Sequence, residues 1–148
     1  TVGALRLQPL QMVDAGRRPR TGPILSAARF GSTMIFFHDE AYAEREGFWV
    51  KGKTTVRATI MKDPASTEAI TLNLHSGARP NVVTLATPQW SERLELVPNV
   101  TRTVVVPSDR REPLVSLAIT TSSGFVPAEL EPGNNDQRLL GCWIAFAP

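Results

Sequence analysis

Two tryptophans and a short series of polar side chains are the residues of this sequence whose chemistry stands out. Trp49 follows Phe48 in the stretch EGFWVKGK, and Trp90 lies at the start of QWSERLEL. Amide, imidazole and guanidinium groups occur between them, at Asn73, His75, Arg79 and Asn81. Aromatic faces pack against C–H surfaces, while such polar groups form hydrogen bonds with hydroxyl groups. The combination predicts contact with a sugar; the alternative is that the tryptophans pack in the protein core.

A second set of side chains has the chemistry of metal ligands. His38, Asp39 and Glu40 are adjacent in FFHDEAY, and His75 is the only other histidine. A metal site needs three or four ligands that converge from separate positions. A metal-dependent enzyme built on the two histidines and a carboxylate is therefore the weakest of three hypotheses. Loop oxygen atoms favour calcium, so we also predict a structural calcium ion at Asp136 in PGNNDQ, and no other cofactor.

Motifs for covalent catalysis and nucleotide binding are absent from the sequence. There is no Gly-x-Ser-x-Gly elbow, no P-loop and no dinucleotide fingerprint. Glu92 and Glu95 fall on opposite faces of one predicted strand, so they do not form the carboxylate pair of a glycosidase. Cys142 stands in an apolar stretch, where a thiol usually packs as a small hydrophobic group. We therefore predict that the protein is not an enzyme.

Composition limits the partners of the chain. The 148 residues carry a formal net charge of only +2, and the arginines of GRRPR lie in a predicted solvated loop, so no nucleic-acid partner is expected. No apolar run is long enough to span a membrane, and TVGALRLQPL lacks the pattern of a signal peptide. Nothing in the residues specifies a compartment.

Apolar residues recur with period two, which is typical of strands. In TTVRATIMK this pattern places Val56, Ala58 and Ile60 on one face. Similar runs, each bounded by turn residues, are VGALRLQPL, STMIFFHD, AITLNLHS, ERLELV, VTRTVVVP and PLVSLAIT. We predict one domain over residues 1–148. Its fold class is all-β: an antiparallel two-sheet sandwich, jelly-roll-like, with about nine strands and little helix.

The end of the chain, LLGCWIAFA, is apolar on both faces. Leu140, Cys142, Ile144 and Phe146 share one face and Trp143 lies on the other, which predicts a central strand covered on each side or a strand with one face under a loop. Before it, Pro127 to Leu130 can form one helical turn, whereas DEAYAEREGF reads as a loop with at most one such turn. Arg138 is expected to hold this region by bonding carbonyl groups or a carboxylate such as Glu129 or Asp136.

Several short motifs resemble a β-sandwich accessory module found at the ends of bacterial envelope and glycan-related proteins. The first is Gly-Phe-Trp at 47–49, and the second is Ser76, Gly77 and Asn81. The third approaches the last strand, with Phe125, Pro127, Glu129, Asp136, Arg138, Leu140 and Gly141. The resemblance covers residues 36–146 and implies a layout similar to that of carbohydrate-binding modules.

The leading hypothesis is therefore a non-catalytic carbohydrate-binding or glycan-positioning module of a larger bacterial envelope protein. Its site residues would be Trp49, Trp90, Asn73, His75, Arg79 and Asn81. The second hypothesis is a structural interaction domain that presents an edge strand or a face to its parent protein or to another copy, since sandwich edges invite pairing.

Overall fold

The computed structural model describes residues 22–63, 65, 69–109 and 111–148. The strand predicted over VGALRLQPL lies outside these residues. Within the described part of the chain, no helix has the length and apolar character needed to cross a bilayer.

Eleven strands and one short helix make up the described chain. Numbered along the chain, they are β1 (Ser26–Phe30), β2 (Thr33–Phe37), β3 (Ala41–Ala43), β4 (Phe48–Lys51), β5 (Thr55–Met61), β6 (Ile70–His75), β7 (Asn81–Thr87), β8 (Trp90–Leu96), β9 (Arg102–Val106), β10 (Leu114–Thr121), α1 (Pro127–Leu130) and β11 (Leu140–Phe146). A six-stranded sheet has the order β1-β2-β5-β10-β7-β8, and a five-stranded sheet has the order β3-β4-β11-β6-β9. Neighbouring strands are antiparallel throughout. The predicted all-β sandwich is confirmed.

One hydrophobic core lies between the inner faces of the two sheets. The alternation predicted for β5 is confirmed, because Val56, Ala58 and Ile60 are fully buried. The sheets meet through aromatic contacts such as that between Phe37 of β2 and Phe48 of β4, whose ring centroids are 4.9 Å apart. Burying side chains of this size contributes about 2 kcal/mol each, so the shared interior holds the sheets together.

The strand count is a correction to the prediction of about nine. Strands β1, β3, β4 and β7 were not among the predicted runs, and β3 lies within the stretch predicted to be a loop. Strands as short as β3 and β4 show too few alternations to be recognised. Pairing with β4 rather than an intrinsic preference makes Ala41–Ala43 extended. The helical turn at Pro127–Leu130 is confirmed.

The predicted central position of the last strand is confirmed. Strand β11 pairs with β4 on one side and with β6 on the other, and its register shifts between Leu140 and Cys142. Cys142 and Ile144 are fully buried, while Trp143 between them is half-buried on the outer face. The chain end therefore carries core residues and outer-face residues on the same strand.

A buried amide joins the two sheets at one end of the sandwich. Asn81 begins β7 of the six-stranded sheet and is 4% exposed. Its Nδ2 donates hydrogen bonds to the carbonyl oxygens of Ser123 (3.0 Å) and Gly141 (2.9 Å), and its Oδ1 accepts hydrogen bonds from the backbone N–H groups of Ser122 and Ser123 (both 3.1 Å). We call this arrangement the Asn81 junction. It helps to fix the segment that leads from β10 to β11, because one side chain bonds four backbone groups there, two of which (the Ser122 N–H and the Ser123 carbonyl) also bond to Val82 and Lys53.

Replacing Asn81 by alanine should lower the free energy of unfolding by roughly 3 kcal/mol or more, since each buried polar group left without a partner costs about 1–3 kcal/mol. Urea unfolding measures this loss. The matched control is Asn135→Ala, which removes an exposed amide that forms no side-chain hydrogen bond with a described residue. Equal stability of the two variants would contradict the role assigned to Asn81.

Candidate functional site

Four ring-bearing residues occupy one cross-strand register on the outer face of the five-stranded sheet. Register places Tyr42 of β3 opposite Trp49 of β4, Trp49 opposite Trp143 of β11, and Trp143 opposite His75 of β6. We call these four residues the aromatic row. Each is half-buried, whereas the residues on either side of Trp49 and Trp143 in their strands are buried. The rings of Trp49, Trp143 and His75 form a cluster with centroids 5.5 to 6.2 Å apart, and Tyr42 adjoins Trp49 in register.

Alternation along each strand explains why these rings face outward. Phe48 and Val50 are fully buried on either side of Trp49, and Cys142 and Ile144 enclose Trp143 in the same way. Successive side chains of a strand point to opposite faces, so a core position on each side forces the tryptophan outward. The outer position of each indole is thus a consequence of the core.

The rings of the aromatic row are not coplanar. The planes of Trp49 and His75 are 86° apart and those of Trp49 and Trp143 are 62° apart, with centroid separations of 5.7 and 5.5 Å. Trp143 and His75 are closer to parallel, at 25°, with centroids 6.2 Å apart. The Trp49 ring is therefore steeply inclined to both other rings, which are themselves closer to parallel. Edge-to-face contacts of this kind are worth about 0.5–1.5 kcal/mol each beyond buried area and hold the rings in place.

Two glycines make room for the indoles. A Cβ atom at Gly47 would lie 2.7 Å from Cζ2 of Trp143, and a Cβ atom at Gly77 would lie 2.9 Å from Cη2 of Trp49. Gly77 also has a φ of +76°, a conformation that L-residues rarely adopt. Glycine is therefore required at both positions, because any larger residue would collide with the indole rings.

Phe125 supports Trp49 from the segment that follows β10. Its backbone forms two hydrogen bonds with Leu140 (2.9 and 2.8 Å), and its ring meets that of Trp49 at 82° with centroids 5.7 Å apart. The preceding residue, Gly124, packs against Gly52, because a Cβ atom added at Gly124 would lie only 3.0 Å from the Gly52 Cα. The Asn81 junction holds this segment, so the orientation of Trp49 depends on a buried amide of the other sheet.

Paired charges border the row at its Tyr42 end. Arg138 lies over the Tyr42 ring, with Cζ 4.9 Å from the centroid, and forms a bidentate pair with Asp136 (2.9 and 2.7 Å). These hydrogen bonds from Arg138 lower the pKa of Asp136 to about 2. Glu44 lies 3.7 Å from the same guanidinium. The predicted clamp by Arg138 is confirmed for Asp136.

Neutral polar groups border the row at its His75 end. Thr103 of β9 donates a hydrogen bond of 2.7 Å to Oδ1 of Asn73, which leaves the Asn73 N–H groups without a partner among the described residues. Desolvation by burial lowers the pKa of His75, so its ring is predominantly neutral at pH 7. No described residue accepts a hydrogen bond from the indole N–H of Trp49 or Trp143, and neither nitrogen is among the buried unpaired atoms. Within the described ranges, these donors therefore have no hydrogen-bond partner.

The structure brings together three of the six predicted site residues. Trp49, Asn73 and His75 share the outer face of the five-stranded sheet. Trp90 lies in β8 of the other sheet and packs against the core, and Asn81 is the buried junction residue. Arg79 is exposed in the turn that follows β6.

Sequence reasoning did not select Trp143, Tyr42 or Phe125. Trp143 had a signal, because it alternates outward between two core positions of β11. Its alignment with Trp49 and His75, however, comes from pairing between strands far apart in the sequence.

The residues predicted as metal ligands are engaged elsewhere. His38 contacts the carbonyl oxygen of Pro23 (3.2 Å) and the hydroxyl of Thr59 (2.9 Å), whereas His75 is in the other sheet. Asp39 accepts hydrogen bonds from Arg57, and Glu40 pairs with Lys51. The described ranges contain no group of three residues suited to hold a metal ion. The calcium ion predicted at Asp136 stays a prediction, at a carboxylate whose two oxygens both accept hydrogen bonds from Arg138.

A cleft of about 850 Å³ lies away from the aromatic row. It opens beside the β7–β8 turn and is lined by residues such as Gln89, Asp109 and Glu112. None of the six predicted site residues or the four rings contributes to its lining. The aromatic row is therefore not part of this cleft.

Comparison with known proteins finds no family model and no curated protein that matches this chain. The fold that the resemblance implied is confirmed, but its carbohydrate-binding and envelope associations gain no support from these comparisons.

Gly77→Ala should disturb the aromatic row, because the new methyl group would meet both Phe125 and Trp49. The matched control is Gly133→Ala, where φ is +83° but nothing lies within 4 Å of the new atom. Both variants carry the backbone cost of about 1–2 kcal/mol. Only Gly77→Ala should lose about 1–3 kcal/mol more from overpacking and change the near-ultraviolet circular dichroism of the tryptophans. Identical spectra and stabilities would show that Gly77 does not position the rings.

Proposed function

We propose that the outer face of the five-stranded sheet binds carbohydrate and that the protein is a non-catalytic carbohydrate-binding module. The observation that carries this proposal is the aromatic row with two unpaired indole N–H groups. Sugars present C–H surfaces that pack on aromatic rings and oxygen atoms that accept hydrogen bonds, so both parts of the face have a counterpart in such a ligand.

The position of the rings supports binding over core packing. Trp49 and Trp143 lie on the face opposite the core, and both are half-buried even though edge contacts hold them in place. Ligand sites place a few polar groups among aromatic ones to fix the orientation of the ligand. Here these polar groups are His75, at the end of the row, and Asn73, next to the row. The face therefore combines a rigid apolar surface with adjacent polar groups.

The chemistry near the row supports a role without catalysis. The carboxylates at its Tyr42 end are committed to cations, since Asp136 pairs with Arg138 and Glu40 with Lys51. Cys142 lies beneath the face, fully buried, and burial raises the pKa of its thiol to about 12. Such groups do not provide a ready acid, base or nucleophile at neutral pH.

Trp49→Ala and Trp143→Ala should each weaken binding to a glycan by about tenfold or more, because a ring contact contributes about 0.5–1.5 kcal/mol beyond the area it buries. Isothermal titration against a panel of soluble oligosaccharides measures the affinity. Trp90→Phe is the control, since Trp90 lies in the other sheet and the substitution keeps an aromatic ring against the core.

Circular dichroism should show that all three variants remain folded. If the unsubstituted protein binds no member of the panel, the proposal is overturned. A loss of affinity confined to Trp90→Phe would move the site to the other sheet.

Self-association is the second candidate function, and exposed apolar residues on the six-stranded sheet favour it. Met34, Met61 and Leu114 occupy one cross-strand register, and Met61 and Leu114 are 38% and 53% exposed. We propose a second copy of this chain as the occupant, because an apolar strip can pair with itself about a two-fold axis.

Under this second proposal, sedimentation velocity should show a dimer that forms with rising concentration, and Leu114→Lys should abolish it. Val105→Lys places the same charge at a residue that is 55% exposed in the other sheet and should leave the dimer unchanged. If the unsubstituted protein sediments as a monomer at every soluble concentration, this function is ruled out.

A further inference from the structure

The hydrogen bond between Thr103 and Asn73 determines which atoms of the Asn73 amide remain unpaired in the candidate site. Asn73 lies opposite Ala145 of β11, two residues beyond Trp143 on the same face. Diagonal neighbours of this kind are about 7–8 Å apart, within reach of long and aromatic side chains. Because Thr103 donates to Oδ1, the amide N–H groups of Asn73 are left without a partner among the described residues, on the same face of the sheet as Trp143.

The unpaired groups around the two indoles are mainly donors. They include the indole N–H groups of Trp49 and Trp143 and the amide N–H groups of Asn73, none of which has an acceptor among the described residues. No carboxylate stands at a register position of the aromatic row or of the neighbouring line formed by Ala145, Asn73 and Thr103. The neutral His75 ring adds one acceptor nitrogen. Because donors outnumber acceptors, a complementary ligand supplies mainly acceptors.

The same part of the face is uncharged. Arg138 and Lys51, at the Tyr42 end of the row, are paired with Asp136 and Glu40. Burial lowers the pKa of His75, which keeps the imidazole mostly neutral at pH 7. Because a neutral site offers little compensation for burying a carboxylate, the matching acceptor is an uncharged carbonyl oxygen.

We infer that the sugar bound by this face carries an acetamido group, whose carbonyl oxygen accepts a hydrogen bond from Asn73 and whose methyl group packs on Trp143. This inference rests on the proposed carbohydrate-binding function. An acetamido group combines an acceptor with an apolar end, and the site places a donor next to an apolar ring. A simple hydroxyl group offers no methyl group and brings a proton that needs an acceptor of its own.

Nuclear magnetic resonance of the ¹⁵N-labelled protein tests this inference without assuming a glycosidic linkage. The probes are N-acetylglucosamine and N-acetylgalactosamine, each matched with glucose or galactose, and glucuronic acid as the anionic probe. We expect the acetamido sugars to bind about tenfold more tightly than their hydroxyl counterparts, which is the factor given by one hydrogen bond of typical strength. The indole N–H signals of Trp49 and Trp143 and the Asn73 amide signals should shift, and the Trp90 indole signal should not.

Asn73→Asp is the decisive variant, because it keeps the shape of the side chain but replaces its donors with acceptors. It should remove the preference for acetamido sugars and leave weak binding through the rings. Gln89→Glu makes the same chemical change at an exposed turn residue of the six-stranded sheet and should retain the full preference.

The outcomes separate the inference from the proposed function. Equal binding of acetamido and hydroxyl sugars at the two indoles, or tighter binding of glucuronic acid, would overturn the acetamido inference while the carbohydrate site stands. Retention of the preference in Asn73→Asp would also overturn it. If no sugar shifts the indole signals, both the inference and the proposed function fail.

Discussion

The structure depends on how the chain crosses from one sheet to the other next to β11. At that crossing the amide of Asn81 bonds four backbone groups of Ser122, Ser123 and Gly141. Two of them have a second partner, since the Ser122 N–H also donates to the carbonyl oxygen of Val82 and the Ser123 carbonyl oxygen also accepts from the Lys53 N–H. Unpaired buried groups are costly, so an amide with two donors and two acceptor positions suits this place better than any apolar side chain. A polar residue of β7 thus links the segment that follows β10 to Gly141 near the start of the last strand.

The candidate site inherits its geometry from this crossing. Phe125 follows directly, bonds to Leu140 at the start of β11 and presses its ring against Trp49. Gly124 and Gly141 allow the close approach, since a Cβ atom at either would lie 2.9 Å from an atom of Leu140 or Thr121. Trp143 then takes its place two residues beyond Gly141. An outer-face aromatic surface is therefore positioned by contacts made at the boundary of the core.

Local pattern predicts a large part of the fold but only part of the site. Val56, Ala58 and Ile60 reveal their face by alternation, and that signal needs no knowledge of other strands. By contrast, the line from Tyr42 to His75 exists only after β3, β4, β11 and β6 have paired, and their register is set by contacts distant in sequence. Asn81 illustrates a further difficulty: an amide that satisfies buried backbone groups and an amide that faces a ligand look the same in a sequence.

The inclination of the rings bears on the kind of ligand that the face can hold. A flat strip of coplanar rings suits the repeated sugar faces of an extended polysaccharide, but Trp49 stands at 62° to Trp143 and at 86° to His75. In the proposed carbohydrate site, rings at these angles would contact one sugar unit from two directions and would offer no flat strip to a second unit. Edge contacts and the glycine positions already fix these orientations, so such binding would require little ordering of side chains. The ring geometry thus fits the proposed site to a single sugar unit better than to an extended chain.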